Sequence, residues 1–241
     1  MARAGAVKGR RGRAAPKPRP ERWRFYQHLI LIVCEGKTEK QYFEAVFADL
    51  PKDTVFVRPV DAGRDPLGVA EQAVVERRRL QREANNREVD EVWLAFDKDD
   101  ADLEAGKTAR FEEALQLATS ENMQLAYSNE AFELWFLLHF NEVNATAPLP
   151  RQTLYNLLGD VLGAHPLFST VSYDHKKSKV SDVLTAFFEL KGNPVLAHSR
   201  AEALLTVHGK KPLLETNPST RVHLLLQSLR NWVEHYTPYS D

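Results

Sequence analysis

Apolar residues in the first half of the chain fall into short solid runs that alternate with longer stretches of helical spacing. Leu29 to Cys34 is an unbroken apolar run rich in Ile and Val, which predicts a strand buried on both faces of a sheet. Glu35 and Gly36 end it, and the residues from Lys40 to Phe47 carry helical apolar spacing. Thr54 to Val60 reads as a second strand, and Pro59 within it argues for an edge position or an early end. Asp61 to Pro66 is turn chemistry, with Asp65 placed to cap a helix and Pro66 to start it. Residues 67–84 predict a long helix, with Val69, Ala73, Val74 and Leu80 inward and Arg77, Arg78, Arg79 and Arg82 on a wet face. A third strand runs from Glu91 to Phe96, followed by a polar loop over 101–108, a helix over 109–120 and a fourth strand from Met123 to Tyr127. Strand and helix alternate throughout, so the expected class is α/β, a mostly parallel sheet flanked by helices.

Residues 131–140 are apolar on nearly every side, the mark of a buried helix. Glu133 and His139 are its polar exceptions, and their spacing puts them on different faces. Pro148 and Pro150 mark a change of character. Beyond them the pattern predicts only helices, at 151–163, 179–190, 195–208 and 219–236, the last opening on Asn217-Pro218-Ser219-Thr220. The expected organisation is a sheet domain over 25–147 and a helical C-terminal subdomain over 148–241.

Charge changes this picture at the N-terminus. Residues 1–24 hold nine Lys or Arg against one acid, Glu21, leaving 23 of the 32 basic and 32 of the 33 acidic residues for the rest, a net of −9. The first 20 residues are almost entirely Ala, Gly, Pro, Arg and Lys, a composition that predicts a disordered basic arm. Such an arm can follow nucleic-acid phosphates or serve only as a solubilising tail. With 43% hydrophobic residues the chain can bury a full core. Its one cysteine, Cys34, excludes an internal disulfide and any multi-cysteine site, and lies in the first apolar run, where a buried thiol is expected. No apolar stretch nears the ~18 residues of a membrane span, and the N-terminus lacks the apolar core of a secretory signal. A cytoplasmic, soluble protein with no membrane contact is the expectation.

Candidate chemistry gathers where strands end. Glu35 follows the first strand, and the third runs straight into Asp97-Lys98-Asp99-Asp100. If those strands are parallel neighbours, Glu35, Asp97 and Asp99 converge on the edge where open α/β sheets bind ligands. Three carboxylates so placed repel one another, and a divalent cation would relieve the repulsion. The plain alternative is helix-start acids on a solvated turn, which fits Asp100 better than the others. Two Gly-Lys-Thr triplets, at 36–38 and 106–108, do not make a phosphate-binding loop, because the required earlier glycine is replaced by Leu31 and Ala101. Any ATP hydrolysis would come from a partner. Glu133 is costly in so apolar a helix unless paired or bound to metal, so it could be a further site acid; the alternative is a structural ion pair or an acid at the helix N-terminus. His139 reads as a core histidine. Tyr173 to Lys179 forms a compact basic cluster in which Tyr173 could stack on a base while Lys176, Lys177 and Lys179 bind phosphate. A solvated loop is the alternative there.

Ile32-Val33-Cys34-Glu35-Gly36-Lys37-Thr38-Glu39, followed by Phe96-Asp97-Lys98-Asp99, resembles the Toprim domain of topoisomerases, primases and several nucleases. Ser128-Asn129-Glu130-Ala131-Phe132-Glu133-Leu134-Trp135, Leu138-His139-Phe140 and Asn217-Pro218-Ser219-Thr220 are similar to the narrower RloB-like (AbiLii-like) family of bacterial defence loci. One position departs: the residue after Asn129, often proline in such proteins, is Glu130. The resemblance implies a Toprim-like sheet that binds Mg²⁺ or Mn²⁺ and cleaves phosphodiesters of RNA or DNA. It implies Glu35 as general acid or base and Asp97 and Asp99 as metal ligands, while the charge arguments above add Glu35 to the metal ligands and Glu133 to the catalytic candidates. Lys37 joins the lysines of the basic cluster as a candidate nucleic-acid contact. A partner ATPase of the same defence locus is implied as well, and a homo-oligomer is possible. A regulatory or nucleic-acid-binding subunit without nuclease activity is the alternative.

Overall fold

The computed structural model describes residues 28–48, 50, 55–99, 101–170 and 173–236. The basic arm expected over 1–24 lies outside them, as does Asp100. The first apolar run forms β1 (His28–Cys34), buried at every position. It is followed by α1 (Lys37–Val46), β2 (Val55–Asp61), α2 (Pro66–Glu83) and β3 (Glu91–Ala95). Then come α3 (Ala105–Ser120) and two short strands, β4 (Gln124–Leu125) and β5 (Ser128–Asn129). The four-stranded sheet has the order β2-β1-β3-β4, with every neighbouring pair parallel. Pro59 therefore sits in an edge strand, where its missing N–H costs no ladder bond. Asp65 caps α2 as expected, its Oδ1 accepting from Gly68 N at 3.1 Å.

The solid apolar run is explained by the two faces it must satisfy. Ile30, Ile32 and Cys34 point to one core, while Leu31 and Val33 point to another. Helices α2 and α3 cover the second, through residues such as Val69, Ala73, Leu80, Phe111 and Ala114. The first is filled by Tyr42 and Phe43 of α1 and by the helices of the chain's second half. These are α4 (Glu133–Leu138), α5 (Arg151–Leu162), α6 (Val180–Glu189), α7 (Pro194–His208) and α8 (Val222–Tyr236). The helical residues beyond 148 thus share one continuous core with the sheet. The arrangement is consistent with the Toprim-like fold.

Two expected elements differ. The loop over 101–108 is shorter, because α3 begins at Ala105. Its N-cap, Glu104, makes no side-chain cap bond, so no local signal marks the start. Asn217-Pro218-Ser219-Thr220 does not open the last helix. Ser219–Thr220 is a strand, β6, that pairs antiparallel with β5, with Ser128 and Thr220 hydroxyls 3.0 Å apart. Helix α8 starts only at Val222. The Asn129–Glu130 and Asn217–Pro218 peptides, which flank this small ribbon, are both cis.

Candidate functional site

Parallel pairing of β1 with β3 places Cys34 opposite Ala95, so the residues that follow each strand emerge on the same edge of the sheet. Glu35 and Asp97 meet there directly: Glu35 Oε2 accepts from Asp97 N at 2.9 Å. Asp97 Oδ2 accepts from Phe132 N at 3.0 Å, at the entry to α4. Its other oxygen, Oδ1, is buried with no hydrogen-bond partner among the described residues. Asp99 stands out toward solvent with a positive φ of 46°, and its Oδ1 lies 2.8 Å from the guanidinium of Arg151. Lys98, between the two, is buried and binds Glu130 at 3.0 Å and Asp102 at 2.9 Å. A cavity of about 230 Å³ opens beside Glu35 and Asp99, with Lys107 and Arg110 of α3 on its far wall.

A fourth acid, Glu39, joins from the first turn of α1 and is 6% exposed. A side chain at Gly36 would stand 3.1 Å from its carboxylate, so glycine leaves that oxygen room to fold back over the turn. The fifth is Glu133, 4% exposed at the start of α4. Its Oε1 lies 3.1 Å from His175 Nδ1 and accepts a longer bond, 3.4 Å, from the Tyr173 hydroxyl.

The electrostatics are those of acids short of counter-charge. Burial pushes the Glu35 carboxyl up to about 8, against the pull of the Asp97 N–H, and the charges of Asp99, Glu39 and Asp65 add to the rise. Burial raises Glu39 to about 7, with Glu133, Asp61 and Asp99 contributing. Asp97 is driven well above the carboxylate range by burial first and then by Glu39, Glu35, Glu133 and Asp99. Among the described residues no three His, Cys, Asp or Glu side chains form a ready-made cage for an ion. Mg²⁺ rarely uses one: it takes one or two carboxylates and completes its shell with water and substrate phosphate. An unpartnered buried oxygen among mutually repelling carboxylates suits such a cation in its donor chemistry.

The structure brings Glu35, Asp97, Asp99 and Glu133 to one place. Tyr173 comes with them, but as part of the wall: its hydroxyl is turned to Glu133 and its ring meets Tyr155 and Phe168 edge-on. Lys176, Lys177 and Lys179 are exposed nearby, with Lys177 paired to Asp174 at 3.3 Å. Lys37 is exposed at the start of α1. His139 is a core residue, wedged between Trp135 and Phe187 against Gly192, and burial holds its pKa down to about 4. The Asn217 tetrapeptide acts as a tie: Asn217 Nδ2 donates to Glu130 at 2.7 Å while its Oδ1 accepts from Leu149 N at 2.7 Å. Sequence reasoning missed Glu39, Arg151, Tyr155 and His175. Only Glu39 had a local signal, an acid one turn beyond Glu35 at a helix start.

A family model described as RloB-like protein matches residues 30–229, most of the chain and all of these residues. No curated protein and no solved structure matches it. No helix among the described residues is long and apolar enough to cross a membrane.

Proposed function

The chain belongs to the RloB-like protein family, and from that premise we propose that it hydrolyses phosphodiester bonds of RNA or DNA with Mg²⁺ or Mn²⁺. The observation that carries this reading is Asp97, an acid with one buried, unpartnered oxygen held against Glu35 at the carboxyl edge of a parallel sheet. Glu35, Asp97 and Asp99 would hold the metal. When bound, it supplies polarisation of the phosphoryl oxygens and activation of water. Glu35 keeps one oxygen on the Asp97 N–H and leaves Oε1 to take or give a proton. Arg151, at the rim through its pair with Asp99, offers a guanidinium to a phosphate. The exposed Lys37, Lys176, Lys177 and Lys179 extend that positive rim along a nucleic-acid strand.

The fuller reading is a cytoplasmic effector of a bacterial anti-phage system, working with a partner ATPase because the chain has no phosphate-binding loop of its own. Incubation with tRNA and with plasmid DNA, in Mg²⁺ and then Mn²⁺, tests the chemistry. Asp97→Ala should abolish cleavage, and activity that survives it would remove these acids from the centre. The Arg151–Asp99 pair favours a second reading, in which the chain alone is a nucleic-acid-binding or regulatory subunit. A guanidinium that already neutralises Asp99 competes with a cation for it. In that case wild type binds nucleic acid but cleaves nothing alone.

A further inference from the structure

The helical half of the chain lowers three side chains over the acids, and one of them has a nitrogen to spare. His175 sits in the turn that precedes α6. Its Nδ1 faces Glu133 Oε1 at 3.1 Å, and its ring lies flat on Tyr155, centroids 4.5 Å apart and planes within 9°. An ionised carboxylate only accepts, so this contact places a hydrogen on Nδ1. Glu133 thus sets the ring's orientation, as a carboxylate does behind a working imidazole. Nε2 has no partner among the described residues, and the side chain is 43% exposed. The buried end is held and the other end is presented.

The surroundings favour the protonated ring. The hydrogen bond that His175 donates to Glu133 raises the His175 pKa, partial burial opposes it, and the charges of Glu133 and Asp99 raise it further against that of Arg151. Tyr155 and Tyr173 complete the wall. Burial drives both phenols upward, so they stay neutral and offer the ring no competing charge. Glu133 and Asp99 also act on Asp97, which puts His175 within electrostatic reach of the metal-binding acids without touching any of them.

We propose that His175 is the general acid of the cleavage, its Nε2–H protonating the departing ester oxygen. The proposal rests on the phosphodiesterase reading and names the residue that reading lacks. The water oxygen bonds to phosphorus as the bond from phosphorus to the leaving oxygen breaks. That oxygen departs with the electron pair and takes the Nε2 proton, giving an alcohol and a phosphomonoester. The proton lost by the attacking water goes to Glu35, and solvent returns one to His175.

The test compares two leaving groups in the full-length chain with Mg²⁺ or Mn²⁺. Nucleic acid leaves as a poorly stabilised alkoxide that needs a proton, whereas bis(para-nitrophenyl) phosphate releases a phenolate that does not. His175→Gln should slow nucleic-acid cleavage by about 10²–10⁴-fold, the usual worth of a positioned acid, and change nitrophenyl ester cleavage by only a few-fold. Asp97→Asn should abolish both. Unchanged nucleic-acid cleavage in His175→Gln, or equal losses on the two substrates, overturns the proposal while leaving the phosphodiesterase reading standing. A wild type inert on both substrates, or an Asp97→Asn as active as wild type, removes that reading and the proposal together.

Discussion

Glu91 opens β3 and Asp97 stands two residues past its end, so one strand carries an acid to each edge of the sheet, and the two are treated in opposite ways. Glu91 receives hydrogen bonds from the Trp93 indole at 2.7 Å, the Trp232 indole at 2.5 Å and the Ser228 hydroxyl at 2.8 Å, with His28 Nε2 at 3.0 Å. Burial raises its pKa, but those bonds outweigh burial and hold the carboxyl down at about 2. Asp97 is given one backbone N–H, one unpartnered oxygen and the company of other acids. A carboxylate with every lone pair answered from within the chain is a fastener, here joining α8 to the sheet. One that the chain leaves unanswered is available to something from outside.

The largest expected effect tests the fastener. Glu91→Ala strands two indoles, a hydroxyl and an imidazole in a half-buried node, and should cost about 3–5 kcal/mol in a urea titration. A loss under about 1 kcal/mol would mean that α8 is held by packing alone. Second in size is the response of the other edge to metal. Saturating Mg²⁺ or Mn²⁺, at about 100 times Kd, should stabilise wild type by about 2.7 kcal/mol. Asp97→Asn combined with Asp99→Asn should lose that response, because two of the three acids proposed to hold the ion are gone. Melting curves in EDTA and in metal decide it, and an undiminished shift in the double variant would put the ion elsewhere.

The two edges should also answer pH with opposite signs. Without metal, folded Glu35 and Glu39 keep protons up to about 8 and about 7, which the unfolded chain releases near 4.5. The folded state binds more protons between those values, so their contribution to stability falls as pH rises from about 4.5 to 8. Glu91 behaves in reverse. Its contribution is complete above 4.5 and drains away as pH falls toward 2. Melting temperature against pH in EDTA should therefore show an alkaline decline that Glu35→Gln lessens and an acid decline that Glu91→Gln lessens. Either limb left unchanged by its own substitution breaks the comparison at that edge. The smallest effect is Ser228→Ala, which removes one of several donors to Glu91 and should cost about 1 kcal/mol.

What the sequence made legible was whatever its neighbours in sequence decide. The run from Leu29 to Cys34 could only be a doubly covered strand, Asp65-Pro66 could only start a helix, and Pro59 belonged at an edge. Glu35 and Asp97 followed from those, since the ends of parallel strands share an edge. The rest depends on residues far apart. Ser219 and Thr220 look like a helix start because their strand partners, Asn129 and Ser128, are about ninety residues away. Arg151, Tyr155 and His175 lie in polar stretches where nothing local tells a site residue from a wet one. Glu133 was legible as an anomaly, an acid in an apolar helix, but its answer was a histidine 42 positions later.

The stacking of Trp232 on His28, with ring centroids 3.7 Å apart, has a consequence for how the protein is made. The first strand leaves the ribosome about two hundred residues before the helix that seals its amino end. At roughly 5–20 residues per second, that interval is roughly 10–40 s. Throughout it the nascent sheet carries an open end, with Trp93 and Glu91 awaiting partners that have not been translated. A chain built this way cannot close the amino end of its sheet until α8 has been translated, and the length of that exposure to aggregation is set by translation speed.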